Sequence, residues 1–317
     1  MDPNDMLNGE TLSDRVERAV LEPVGRFAPV LRVALEPRSN ADQQRLGVAL
    51  AQLAEEEASF RVHPDEETGQ TLVGAMSEQQ LEILVGRLER EFRVGVNVSR
   101  PQVVYRETIR RAVECVEYTH RKQTGCADQY ARVRIGVEPI ALGGAGYEFT
   151  SLTGGGIPVA YVPSVDAGCR STMQSGVLAG CEVIGVRVTL LGGLVREAHS
   201  SDVAFRTAGA RALTEALRQA DPVLVEPVMA VEVSTPEDCV GGVIADLGSR
   251  RGEVRAWERH AGGRVVQALV PVSELLGYSD DLAGRTSGRA SWTMRFDSYA
   301  EVPHGVAEQL IANAEER

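Results

Sequence analysis

The sequence predicts an α+β protein: two ferredoxin-like β-α-β-β-α-β domains flanking a central α/β domain. Three observations carry this. One order of strand-like and helix-like apolar patterns occurs twice, over residues 29–103 and 223–302. The block between them, 104–222, follows a different order. Glycine runs (Gly143-Gly144, Gly154-Gly155-Gly156, Gly192-Gly193) punctuate that block where loops are needed.

Residues 1–28 form a polar, irregular lead segment. The first unit opens with a strand, Val30 to Leu35, closed by Pro37. Leu46, Ala49, Leu50 and Leu53 then recur at helical spacing, with Asn40 as the candidate N-cap. Phe60 to Val62 and Thr71 to Val73 read as short strands around a turn at Glu67-Thr68-Gly69. Ser77 opens a second helix whose face carries Leu81, Leu84, Val85 and Leu88, and Val94 to Val98 is the closing strand.

The central block has strands at Gln129 to Val137, Tyr147 to Phe149 and Val183 to Leu191, and helices at Val165 to Gly176 and Asp202 to Gln219. The second unit begins with a long strand, Val223 to Val233, stopped by Pro236. Its first helix turns Val240, Val243, Ile244 and Leu247 inward and ends near Gly252. Strands Val254 to Glu258 and Val265 to Val270 follow, turning at Gly262-Gly263. A broken helical region opens at Ser273, and Ala290 to Phe296 is the last strand. Residues 303–317 form a terminal helix with Val306, Leu310 and Ile311 on one face.

Composition excludes several functions. The 317 residues carry 33 Lys+Arg against 45 Asp+Glu, a net charge of −12, and Lys122 is the single lysine. It lies between Arg121 and Gln123, so no phosphate-binding loop of the glycine–lysine type exists. The acidic balance argues against a purely electrostatic nucleic-acid binder. The most apolar long stretch, Val177 to Val195, contains Glu182 and Arg187, which excludes a membrane span. The N-terminus lacks the order of a signal peptide, and five scattered cysteines without a C-x-x-C pair read as reduced thiols of a cytoplasmic protein.

The catalytic inventory is thin. Five histidines lie far apart, and no G-x-S-x-G elbow is present. The runs Glu55-Glu56-Glu57 and Asp65-Glu66-Glu67 read as solvated surface rather than metal ligands. His199-Ser200-Ser201-Asp202 resembles a catalytic cluster only in sequence, and Ser201 or Asp202 makes a sound cap for the helix that follows. The reading is of a protein without catalytic residues, metal or cofactor.

Several segments resemble elongation factor G, the translocation GTPase: Val33-Ala-Leu-Glu-Pro-Arg-Ser-Asn-Ala-Asp-Gln, Pro101-Gln-Val-Val-Tyr-Arg-Glu-Thr-Ile-Arg, Leu224-Val-Glu-Pro-Val-Met-Ala-Val-Glu-Val, Pro271-Val-Ser-Glu-Leu-Leu-Gly-Tyr and Gly288-Arg-Ala-Ser-Trp-Thr-Met-Arg-Phe. The resemblance is collinear from about Gly9 onward and covers the C-terminal half of that family, domains three to five, without its GTPase domain or second domain. It implies a third domain at 29–103, a fourth at 104–222, a ferredoxin-like fifth at 223–302, and a terminal helix at 303–317 that packs on the fourth. In the family the tip of the fourth domain contacts RNA. Here its loops are altered: Thr124-Gly125-Cys126-Ala127-Asp128-Gln129-Tyr130-Ala131 has lost glycines, Arg196 replaces a histidine, and His199 stands at an aspartate position. The family's G-M-G-E-L-H-L becomes Ala75-Met76-Ser77-Glu78-Gln79-Gln80-Leu81, a region that faces the GTPase domain in the full-length factor.

The interface of the third and fifth domains keeps the family's residues, and in the family it is a pocket for cyclic peptide antibiotics, the argyrins. The resemblance therefore implies a non-catalytic mimic of elongation factor G. As an antibiotic-resistance decoy it would bind such an inhibitor through Pro37, Arg38, Leu276, Tyr278 and Ser279. The alternative is a translation factor that associates with the ribosome without GTP, its tip residues Gln129, Arg196 and His199 contacting ribosomal RNA. Both expect a monomer that does not engage membranes.

Overall fold

The structure is a computed structural model and describes residues 29–56, 60–64, 70–122, 129–142, 146–152, 156–196, 199–260 and 263–315. The lead segment, the turns expected at Glu67-Thr68-Gly69 and Gly143-Gly144, and Cys126 lie outside these residues. The chain divides into two units, the first holding residues through Val104 and Pro227–Asp297, the second Tyr105–Glu226 and Ser298 onward.

The first unit begins with β1 (Leu31–Pro37), whose alternation buries Leu31, Val33 and Leu35. Helix α1 (Asn40–Glu56) follows, then β2 (Arg61–Pro64), β3 (Thr71–Ala75), α2 (Glu78–Arg90), β4 (Val96–Val98) and the short β5 (Gln102–Val103). The sheet order is β2-β3-β1-β4, antiparallel throughout, as a ferredoxin-like sheet requires. Asn40 is already inside α1; the cap is Ser39, whose hydroxyl accepts the Asp42 N–H at 3.2 Å. A capping oxygen must lie three residues ahead of the N–H it receives, which selects Ser39. Ser77 caps α2 in the same way.

The second unit holds β6 (Arg106–Ile109), β7 (Val113–Lys122), β8 (Gln129–Pro139), β9 (Tyr147–Ser151), α3 (Val162–Ser175), β10 (Val186–Leu194) and α4 (Asp202–Gln219). Its sheet runs β7-β8-β10-β9, with only the β9–β10 pair parallel. Helices α3 and α4 cross closely because glycine faces backbone: a Cβ on Gly209 would lie 2.7 Å from the Val165 carbonyl. Ser201 caps α4.

Strand β11 (Pro222–Thr235) begins in the second unit, where its first four residues pair with β6, and ends in the first, where residues 228–235 pair with β13. After it come α5 (Val240–Ser249), β12 (Glu253–His260), β13 (Gly263–Pro271), α6 (Tyr278–Thr286), β14 (Ser291–Glu301) and α7 (His304–Glu315), the order β12-β13-β11-β14 repeating the ferredoxin-like topology. Helix α7 falls in the second unit. In the first unit a single core joins both ferredoxin-like modules, with Leu31, Leu81 and Leu88 of one and Val231, Val266 and Tyr278 of the other.

Sequence patterning passes over β6 and β7, each for a physical reason. Strand β7 is an edge strand with mostly exposed charged and polar residues, so apolar alternation is faint. Strand β6 hides a carboxylate: Glu107 is 0% exposed and accepts the N–H groups of Val177 (2.7 Å), Leu178 (3.0 Å), Ala179 (3.0 Å) and Cys181 (3.1 Å). One side chain thereby fixes the whole connection between α3 and β10. β10 also starts three residues later than the pattern implied, because Val183 bridges to Glu107 and Gly185 (φ 72°) turns the chain between them.

Four N–H donors on one buried carboxylate make an exchange costly, because hydrogen bonds to charged groups contribute about 1.5–3 kcal/mol each and unmatched donors add a penalty. Glu107→Gln offers one acceptor oxygen in place of two. It is expected to lower stability by about 2–4 kcal/mol, seen in urea unfolding as a lower midpoint at unchanged slope.

Candidate functional site

A cavity of about 250 Å³ opens in the first unit between the two ferredoxin-like modules. The first module contributes Leu31 from β1 and the Met76–Gln80 segment that starts α2; the second contributes Leu275, Leu276 and Ser279 around the start of α6, with Trp292 and Met294 from β14. Strand alternation places Trp292 and Met294 on one face of β14, both half-buried.

Polar contacts fix the cavity walls. The Glu78 carboxylate accepts the Gly277 N–H at 2.9 Å, tying the start of α2 to the turn ahead of α6. Gly277 is left-handed there (φ 72°), a conformation that carries a Cβ only with strain. The Ser279 hydroxyl accepts Trp292 Nε1–H at 3.0 Å and Gln79 Nε2–H at 3.4 Å. The rest of the lining mixes apolar Leu31, Met76, Leu275, Leu276 and Met294 with polar Ser77, Gln80 and Thr293, so the space suits one side-chain-sized group held by both apolar and polar contacts.

Tyr278 lies behind this wall, 0% exposed. Its ring meets Trp292 edge-on at 4.9 Å and lies under the Arg250 guanidinium at 5.0 Å. Arg250 is held there by the Asp246 carboxylate (3.1 Å), the Glu274 carbonyl (2.7 Å) and the Asp281 carboxylate (2.5 Å). The Tyr278 hydroxyl makes no hydrogen bond, and burial, reinforced by the Asp246 charge, pushes its pKa up to about 12.

The residues expected at this site are placed as follows. Leu276 and Ser279 line the cavity, and Tyr278 supports Trp292 from behind. Pro37 ends β1 at the opposite end of that strand from Leu31. Arg38 donates to Asn97 Oδ1 at 3.3 Å and approaches Glu89 at 3.5 Å, among residues that do not line the cavity. The sequence reading missed Met76, Gln79, Trp292 and Met294. Met76 and Gln79 belong to the altered Ala75–Leu81 motif, which was a signal for change but not for this location.

A second cluster forms at one end of the central sheet. Gln129 opens β8 opposite Lys122, and its Oε1 lies 3.2 Å from His120 Nε2. Arg196 lies over the Tyr130 ring at 4.2 Å, and the Tyr130 N–H donates to the His199 carbonyl at 2.8 Å. Of the three expected residues, Arg196 alone lays its side chain on the buried Tyr130, Gln129 meets His120, and His199 contributes its backbone carbonyl; Arg196 and His199 are exposed. The Ser200 hydroxyl donates to the Tyr130 carbonyl (2.8 Å) and accepts the Arg196 N–H (3.0 Å), Ser201 caps α4, and Asp202 accepts the Ser164 hydroxyl (2.6 Å). These side chains hold a loop together and do not converge as nucleophile and base.

Other chemistry is sparse. Among the described residues no three His, Cys, Asp or Glu side chains converge as a metal site, and no helix is long and apolar enough to cross a membrane. Cys115, Cys169, Cys181 and Cys239 are free thiols, and burial pushes the Cys169 pKa up to about 12, leaving it unreactive.

Family models for elongation factor G match the chain in three consecutive stretches: domain III over residues 28–100, domain IV over 101–221, and the C-terminus over 223–310. The chain belongs to the elongation factor G family. A crystal structure of a protein from Thermus thermophilus is similar over 92% of this chain, at 36% sequence identity and a TM-score of 0.74. The chain spans 44% of that protein's length. In this family's terms the cavity lies between domain III and the C-terminal domain, and the tyrosine-centred cluster lies in domain IV.

The unpartnered hydroxyl of Tyr278 gives a clean test of its role. Tyr278→Phe keeps the ring and removes an unsatisfied buried group, so stability should stay level or rise by about 1 kcal/mol, whereas Tyr278→Ala should cost about 3–5 kcal/mol. The raised pKa means that the folded state holds this proton more tightly. Its contribution is complete below pH 10 and is lost as pH rises toward 12, so Tyr278→Phe should remove that part of the alkaline loss in denaturant titrations.

Proposed function

We propose that this elongation factor G-related chain works by binding rather than by catalysis, and that its ligand is an inhibitor of elongation factor G, a cyclic peptide of the argyrin type. The observation that carries this reading is the cavity between domain III and the C-terminal domain, walled by Leu276, Ser279, Trp292 and Met294. At about 250 Å³ it lies below the roughly 300–1,000 Å³ of sites that engulf whole ligands. A macrocycle would therefore place one or two side chains inside and lie across the mouth. A protein that holds the inhibitor this way spares its target when its affinity rivals the target's and it exceeds the inhibitor in concentration.

One observation favours a second reading, a translation factor that associates with the ribosome without GTP. In an acidic chain, Arg121, Lys122, Arg196 and His199 gather at one end of domain IV beside Gln129. Cationic and amide side chains at a loop cluster suit phosphate and base contacts.

Calorimetry with argyrin decides the first reading. Wild type should bind, and Leu276→Ala and Met294→Ala should each weaken binding about tenfold, or roughly 1.4 kcal/mol. Absence of binding heat in the wild type overturns it. Co-sedimentation with ribosomes at physiological salt tests the second reading: Arg196→Ala should release a bound chain, and a wild type that stays in the supernatant rules it out.

A further inference from the structure

We propose that the cavity selects one kind of side chain, a neutral planar group that carries a hydrogen-bond acceptor, and that the Ser279 hydroxyl reads that acceptor. This deepens the binding reading above and rests on it. The polar atoms of the lining divide into acceptors already in use and donors that are not. A serine hydroxyl offers one proton and two lone pairs. The Ser279 oxygen receives the Trp292 Nε1–H at 3.0 Å and the Gln79 Nε2–H at 3.4 Å. An indole nitrogen only donates, so the Ser279 proton points elsewhere, and it makes no hydrogen bond among the described residues. Gln80 repeats the pattern. Its Oε1 receives the Met76 N–H at 2.9 Å, which fixes the amide with its nitrogen on the other side, where it donates to no described residue. Ser77 receives the Gln80 N–H at 3.2 Å as the cap of α2 and likewise donates to none. All three side chains line the cavity.

These donors exclude several kinds of ligand. An anion would use them, but it would face the Glu78 carboxylate in a lining that holds no arginine, lysine or histidine. A cation would pair with Glu78 and then meet donor hydrogens from Ser77, Gln80 and Ser279. A purely apolar group would strip solvent from those donors and leave them unpaired, which costs binding energy. A neutral acceptor such as a carbonyl oxygen satisfies them without opposing Glu78. The walls set the remaining shape. Met76 and Met294 bring thioethers, which favour the edges of aromatic rings, and Trp292 adds an indole. A flat ring with a carbonyl attached meets both the walls and the donors.

Probes of nearly one shape separate these cases: acetophenone, ethylbenzene, benzoate and α-methylbenzylamine, the last a cation at neutral pH. Each is titrated into the isotope-labelled whole chain while the Trp292 indole N–H signal is followed by NMR. Trp257, the chain's other tryptophan, is exposed and outside the cavity lining, so its signal is the control and Trp257→Phe assigns the pair. Acetophenone should move the Trp292 signal saturably and bind about tenfold or more tightly than the other probes. Ser279→Ala should weaken acetophenone about tenfold and leave ethylbenzene no weaker, which brings the two together. Equal thermal melts confirm that folding is intact, and the ranking of probes on the wild type stands apart from any variant. The proposal is overturned if acetophenone leaves the Trp292 signal unmoved, if any other probe binds as tightly, or if Ser279→Ala preserves the preference. The binding reading fails separately. Argyrin that gives no heat while acetophenone binds sinks that reading, whereas argyrin that binds while the probes rank equally sinks this inference alone.

Discussion

Two ferredoxin-like sheets, far apart in sequence, complete one apolar core between them, and the first unit depends on that shared burial. Leu31, Leu81 and Leu88 come from the first module, and Val231, Val266 and Tyr278 from the second. Each buried aliphatic side chain contributes roughly 1.5–3 kcal/mol relative to exposure. Two polar links set the register of the join: Glu78 receives the Gly277 N–H, and Ser279 gathers donors from Trp292 and Gln79. Where rigid secondary structure meets at such a join, side chains do not fill all the space, and the cavity is what remains.

That origin explains the cavity's chemistry. Its apolar wall is a continuation of the core, and its polar lining includes Glu78, Gln79 and Ser279, which link the modules. A ligand entering it therefore replaces missing packing rather than opening new surface, and it contacts both modules at once. Such a ligand stabilises their observed arrangement by simple linkage.

Domain IV is organised differently. A buried carboxylate, Glu107, does for its connecting loop what apolar packing does elsewhere, and the close approach of α3 and α4 depends on glycine and alanine rather than on large side chains. Larger side chains, among them Ile135, Leu190, Phe205, Leu213 and Leu217, fill the rest of its core.

The sequence by itself determined the order of elements, the repeated β-α-β-β-α-β pattern and the family, because apolar periodicity and collinear motifs are local properties of the chain. It marked Leu276 and Ser279 for the same reason, since they sit in a recognisable run. It did not disclose β6, whose one decisive residue is a buried glutamate, or the edge strand β7, whose exposed face dilutes the alternation. Nor could it join Met76 and Gln79 to Trp292 and Met294, or set Pro37 and Arg38 away from them at the other end of β1. Those relations are distances between segments remote in sequence, and only the tertiary structure decided them, because packing rather than spacing along the chain brings such side chains to one place.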